Sequence, residues 1–95
     1  KLEQLIKLIC ENPVKIFGIQ NKGYIKIGYD ADITVVDQNK LIEIKNENIQ
    51  SKCGWSPYNG QKFKGKPVLT VINGKIKMND GKLIGEPEGL PLIFK

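Results

Sequence analysis

Ninety-five residues suffice for one small domain and not for two. The net charge of +5 comes from fifteen lysines with no arginine, and there is no histidine at all. Without histidine there is no His general base, no Ser/His or Cys/His nucleophile pair and no His-containing zinc site. A self-contained hydrolase is thereby excluded as the natural reading. The lysines are scattered, and arginine, the fork that reads base edges and phosphates, is missing, so no nucleic-acid partner is expected.

The 40% apolar content is that of a globular chain. No apolar run approaches the roughly 18 residues needed to cross a membrane. Lys1 opens an amphipathic pattern, not a basic region followed by an apolar run, so neither a signal peptide nor a membrane partner is expected. The absence of an initiator Met suggests a start inside a longer protein. Cys10 and Cys53 allow one disulfide, but nothing else reads as a stapled secreted scaffold, and two reduced thiols in a cytoplasmic protein are expected.

Residues 2–11 read as a helix, with Leu2, Leu5, Ile6, Ile9 and Cys10 on one face. Pro13 should end it at Asn12. Asn12-Pro13 should then cap a separate helical turn at 13–17, closed by Gly18. After Lys22 the apolar period becomes two. Tyr24–Ile27 reads as a short strand, GYDAD at 28–32 as a turn and ITVVD at 33–37 as a mostly buried strand. QNK at 38–40 should interrupt it before a weaker strand at 41–44. Residues 51–67, with three glycines and two prolines, read as an ordered loop.

The clearest local signal is a hairpin at 68–79 turning at Asn73-Gly74, the favoured type I′ pair. It should set Ile72 against Lys75, Val71 against Ile76 and Leu69 against Met78. Leu69, Val71, Ile76 and Met78 would then share one face. Asp80-Gly81 should repeat the turn and bring Met78 opposite Leu83. The tail at 85–95 should run extended over a surface.

Candidate chemistry is sparse. Asp30 and Asp32 could pair as carboxylates or metal ligands, but read better as turn residues bonding their own backbone. Lys64-Gly65-Lys66 could touch an anion, yet lacks a phosphate-loop context. Cys53 has no histidine to activate it and is expected to be a packed thiol. Trp55 and Tyr58, in the unusual stretch SKCGWSPYNG, could stack a base or sugar but read as packing anchors.

In order along the chain, NPVKIFG, KGYIKIGYDADITVVD, SKCGWSPYNG and FKGKPVLTVINGKIKMNDGKLIGEP resemble the C-terminal end of the cyclic amidohydrolases. That family includes dihydroorotase, hydantoinase and allantoinase. KCGWSPYNG with GKPVLTVINGK looks most like the zinc-dependent dihydroorotases. The resemblance implies an α+β fragment: residues 1–20 would carry the last helices of a TIM-like (β/α)8 barrel, and 21–95 part of a β-sandwich built from both chain ends. It also implies a parent enzyme that interconverts N-carbamoyl-L-aspartate and L-dihydroorotate in pyrimidine biosynthesis, through a zinc-activated water.

The zinc ligands of such enzymes lie on barrel strands. The resemblance therefore places no catalytic, cofactor-binding or metal residue in this chain and predicts that the 95 residues alone are inactive. Its implied partners are the rest of its own enzyme, a small-molecule substrate and copies of itself in a homo-oligomer. A hydantoinase- or allantoinase-like tail, a complement to a separately encoded catalytic chain, and a non-enzymatic β binding module remain open alternatives at this point.

Overall fold

The computed structural model describes all residues from Lys1 to Lys95. One helical column is followed by a four-stranded antiparallel sheet. The column comprises α1 (Leu2–Ile6), a π turn at Lys7–Glu11 and α2 (Asn12–Phe17). The sheet comprises β1 (Ile33–Glu43), β2 (Lys62–Ile72), β3 (Lys75–Asn79) and β4 (Lys82–Leu83), in that order across it.

Pro13 does not end the helix. Asn12 keeps helical torsions, φ −64° and ψ −44°, and caps nothing with its side chain. Its N–H instead reaches the Lys7 carbonyl, five residues back. Pro13 has no N–H to donate, and its ring crowds the carbonyl four residues earlier. A single π turn ahead of it opens the ladder and lets the helix continue. Gly18 then ends the column as expected, with φ 65° in the left-handed region, and the N–H of Ile19 reaches the Val14 carbonyl at 3.0 Å.

The strand expected at Tyr24–Ile27 is absent. Alternation there has no neighbouring strand to pair with, and Ile25 and Ile27 stand 85% and 105% exposed. Tyr24 and Tyr29 meet edge to face at 6.4 Å, with the Lys26 ammonium 5.6 and 5.3 Å from the two ring centres. The segment is a loop folded on its own aromatic pair.

β1 runs through the expected break at 38–40. Its pairing with β2 jumps from Asp37↔Lys66 to Leu41↔Lys64, so Gln38, Asn39 and Lys40 are looped out of register opposite Gly65. Gly65 adopts φ 107°, which an L side chain resists. β2 accordingly begins at Lys62, inside the stretch expected to be loop. Pro67 is tolerated within it because β3 pairs only from Leu69 onward, leaving that edge open.

The Asn73-Gly74 turn forms as expected, with φ 51° and 78°, and pairs Ile72↔Lys75 and Val71↔Ile76. Beyond it the register slips: Met78 faces Thr70, and Leu69 faces Asn79. Met78 thus leaves the side shared by Leu69, Val71 and Ile76. The extra residue is Lys77, whose side chain is only 13% exposed and reaches the Glu86 carbonyl at 3.0 Å. The bulge re-aims this lysine onto the tail. The Asp80-Gly81 turn forms too, and Met78 faces Leu83 as expected.

The tail runs back to the helix end. Gln20 N–H donates to Ile93 O at 2.8 Å, Lys95 N–H donates to Gly18 O at 2.9 Å, and Ile19 bridges Phe94.

None of the 95 residues is buried. Accessible area is 7868 Å², against about 5,500 Å² for a self-contained chain of this mass. The radius of gyration is 15.2 Å, against about 12 Å for a compact domain of this length. No strand packs on the helical column, and Leu8 and Ile9 are 64% and 62% exposed. Apolar faces are made, but nothing within the chain closes them.

Candidate functional site

The most connected polar group is built by the loop between helix and sheet. Lys22 lies 3.0 Å from Asp30 Oδ2 and also pairs with Asp32 Oδ2. Asp32 Oδ1 accepts the Asn73 N–H at 2.9 Å, and the Ala31 carbonyl accepts the Gly74 N–H at 3.0 Å. The Lys22 hydrogen bond, then the Asn73 N–H, holds the Asp32 carboxyl below its ordinary range. Asp32, with Asp30, raises the Lys22 ammonium.

The two aspartates therefore do more than shape their own turn. Asp32 N–H does bond Asp30 O at 2.9 Å, but the Asp32 side chain spans 41 residues to hold the hairpin tip. With its carboxylates already bound to an ammonium and a backbone N–H, the cluster is an ion-paired brace, not an open acid–base pair.

Gly23 sets where this loop meets the helix. It has φ 90°, and a Cβ there would lie 2.5 Å from Val14 Cγ2 and 2.8 Å from the Cys10 carbonyl. Only glycine allows that approach.

SKCGWSPYNG is held by asparagines and not by its aromatics. Asn46 Oδ1 accepts the Ser56 N–H at 2.9 Å, and Asn59 Oδ1 accepts the Asn46 N–H at 2.8 Å. Gly60 N–H donates to Ile44 O at 2.7 Å, and Ile44 N–H to Gln61 O at 2.9 Å. Trp55 is 59% exposed, so it anchors nothing within this chain. Tyr58 meets Phe63 edge to face at 6.5 Å and is otherwise exposed. Cys53 is exposed, not packed; its thiol lies 3.5 Å from the Trp55 carbonyl, and both cysteines are free.

Elsewhere, Lys40 pairs with Asp80 at 2.5 Å and holds that carboxyl low. Lys66, of the Lys64-Gly65-Lys66 stretch, also lies near Asp80. Glu88 takes Lys75 at 2.8 Å and Lys77 as well, and these two ammonium groups lower its carboxyl from 4.5 to about 2. The concavity lined by Leu41, Ile42, Ile44, Met78 and Leu83, with Lys66 at its rim, is an open groove. No three His, Cys, Asp or Glu side chains come together as metal ligands.

Sequence reasoning named Asp30 and Asp32 but missed Lys22, Asn46, Asn59 and Glu88 as their counterparts or equivalents. The cluster of asparagines in KNEN and the lone carboxylate pair in the glycine- and proline-rich tail were the available signals.

Residues 1–77 match the family model described as "Amidohydrolase family". The dihydroorotase of Pyrococcus furiosus is 42% identical over 94 residues, covering 99% of this chain and 22% of the relative. That of Pyrococcus horikoshii is 47% identical over 82 residues, covering 86% of this chain and 19% of the relative. Among solved structures, an L-hydantoinase (dihydropyrimidinase) from Arthrobacter aurescens superposes with a TM-score of 0.84 at 32% identity, covering 90% of this chain and 19% of that one. The chain spans about a fifth of the length of the relatives it matches.

Proposed function

The chain belongs to the amidohydrolase family, and from that premise we propose that it serves as the C-terminal structural part of a dihydroorotase. The parent enzyme interconverts N-carbamoyl-L-aspartate and L-dihydroorotate. Residues 1–20 carry the last helices of the (β/α)8 barrel, and 21–95 form part of the small β-sandwich beside it. The chemistry lies on barrel strands outside these residues, at the face where such barrels carry their sites.

The observation that carries this reading is identity of 42% and 47% to two dihydroorotases across most of the chain. The uncovered apolar faces support it independently. They fit a segment whose core is completed by the rest of its own enzyme. A zinc does not fit the residues present: the chain has no histidine, no three His, Cys, Asp or Glu side chains come together, and Asp30, Asp32, Asp80 and Glu88 are each held by lysine. No step is assigned to a metal here, and no residue of this chain is given a catalytic role.

The backbone likeness to an L-hydantoinase favours a second reading, a hydantoinase-like tail. A small independent β module fits less well. Lys22, Lys40, Lys75 and Lys77 are paired to carboxylates, and no residue is buried as a self-sufficient fold requires. No helix is long and apolar enough to cross a membrane, and a cytoplasmic, homo-oligomeric enzyme is the setting we propose.

The test assays the natural full-length protein for zinc content and for turnover of carbamoyl aspartate, dihydroorotate, hydantoins and allantoin. Interconversion of the first two with bound zinc is the expected result. Turnover of hydantoins or allantoin alone would move the protein to the second reading.

A further inference from the structure

Two Asn-Gly pairs occur in the chain, Asn59-Gly60 and Asn73-Gly74. Asparagine before glycine is chemically fragile, because no side chain shields the glycine nitrogen from the asparagine carboxamide; asparagine is among the thermolabile residues. In both pairs the glycine N–H is engaged. Gly74 N–H donates to Ala31 O at 3.0 Å, and Gly60 N–H donates to Ile44 O at 2.7 Å. The Asn73 pair carries a further restraint: Asp32 Oδ1 accepts the Asn73 N–H at 2.9 Å, while Asn73 Nδ2 lies 3.5 Å from the Glu88 carbonyl.

We infer that Asn73 is a site of spontaneous deamidation gated by the Asp32 brace. While the brace is closed, the Gly74 nitrogen is bound and the turn is fixed at φ 51° and 78°. When it opens, the Gly74 nitrogen gives up its proton to solvent and attacks Asn73 Cγ. The new N–C bond closes a five-membered succinimide, and the bond to the side-chain nitrogen breaks, releasing ammonia. Water then opens the ring at one of its two carbonyls, leaving aspartate or isoaspartate. Water is the only co-reactant.

The product does not fit the closed turn. Isoaspartate adds a methylene to the backbone, so a two-residue turn no longer sets Ile72 opposite Lys75. Either product also replaces the Asn73 amide, which donates towards the Glu88 carbonyl at 3.5 Å, with a carboxylate that cannot donate. Deamidation at this position therefore converts a transient opening of the tip into a lasting one. The inference goes beyond the functional reading and stands on the turn geometry whether or not that reading holds.

The experiment ages the natural full-length protein in neutral buffer and in urea, and maps aspartate and isoaspartate at both pairs by peptide mass spectrometry. Asn59 is the internal control, because its restraints share no residue with Asp32. Asn73 should deamidate at least roughly tenfold slower in buffer than in urea, as expected of a site that reacts only from an opened state. In Asp32→Ala the Asn73 rate in buffer should rise severalfold while the Asn59 rate holds. Should that variant unfold, the Asn59 rate will rise with it, and exchange of the Gly74 amide in the unmodified protein decides: slow exchange tracking slow deamidation supports the gate. Equal Asn73 rates in buffer and urea, a folded Asp32→Ala with an unchanged Asn73 rate, or an unprotected Gly74 amide would overturn it.

Discussion

The helical column at residues 2–17 and the hairpin of β2 and β3 are held by different kinds of contact. The hairpin is fixed by groups near in space that are polar and specific: a type I′ turn, the Asp32 brace on one side and Glu88 on the other. The column is continuous from Leu2 to Phe17, yet meets the rest of the chain only at its C-terminal half, through Gly23 and the tail. Its apolar side faces solvent. Hydrogen bonds can be satisfied locally, whereas an apolar face is satisfied only by area, and this chain does not contain that area.

The largest expected difference follows directly. As an isolated 95-residue chain, the protein should melt without a sharp calorimetric transition and bind an apolar dye, while the natural full-length protein melts cooperatively. A sharp transition in the isolated chain would erase the distinction between the two regions.

Next in size is Gly23→Ala, which drives a Cβ into Val14 and the Cys10 carbonyl at positive φ. It should cost about 3 kcal/mol in the full-length protein, read by denaturant titration. Asp32→Ala should cost less, roughly 1–2 kcal/mol, since it removes one charge-assisted hydrogen bond and one partly exposed ion pair.

Glu88 supplies a pH test. Its carboxyl is lowered from 4.5 to about 2 in the folded chain. A lowered folded value means that its contribution is complete above about 4.5 and is lost as pH falls towards 2. Proteolysis of the tail by an acid-active protease should therefore accelerate between those values, and Glu88→Gln should remove that dependence.

The smallest effect concerns Trp55. In the isolated chain Trp55→Ala should leave circular dichroism and dye binding unchanged, since the ring is 59% exposed. A loss of stability in the full-length protein, read by denaturant titration, would mark Trp55 as covered there.

What was legible in the sequence follows the same division. Asn73-Gly74 and Asp80-Gly81 announced their turns, and Gly18 its helix end, because each depends on a few neighbouring torsions. The bulge at Lys77 was not legible, since it answers to the tail; QNK did mark the interruption at 38–40, but not that the strand resumes on the same partner. Alternation at Tyr24–Ile27 reports which side chains need cover, not what covers them. Pro13 was misread for a related reason: a π turn absorbs it at little cost in a column already continuous on both sides. At the candidate site, Asp30 and Asp32 stood out by spacing, while Lys22 was one lysine among fifteen.

The central claim is that the helical column is completed by protein beyond these residues. Amide hydrogen exchange across Leu2–Phe17, compared between the isolated chain and the natural full-length protein, tests it most directly. Protection at least roughly a hundredfold greater in the full-length protein is the predicted result. Equal protection in the two would contradict the account.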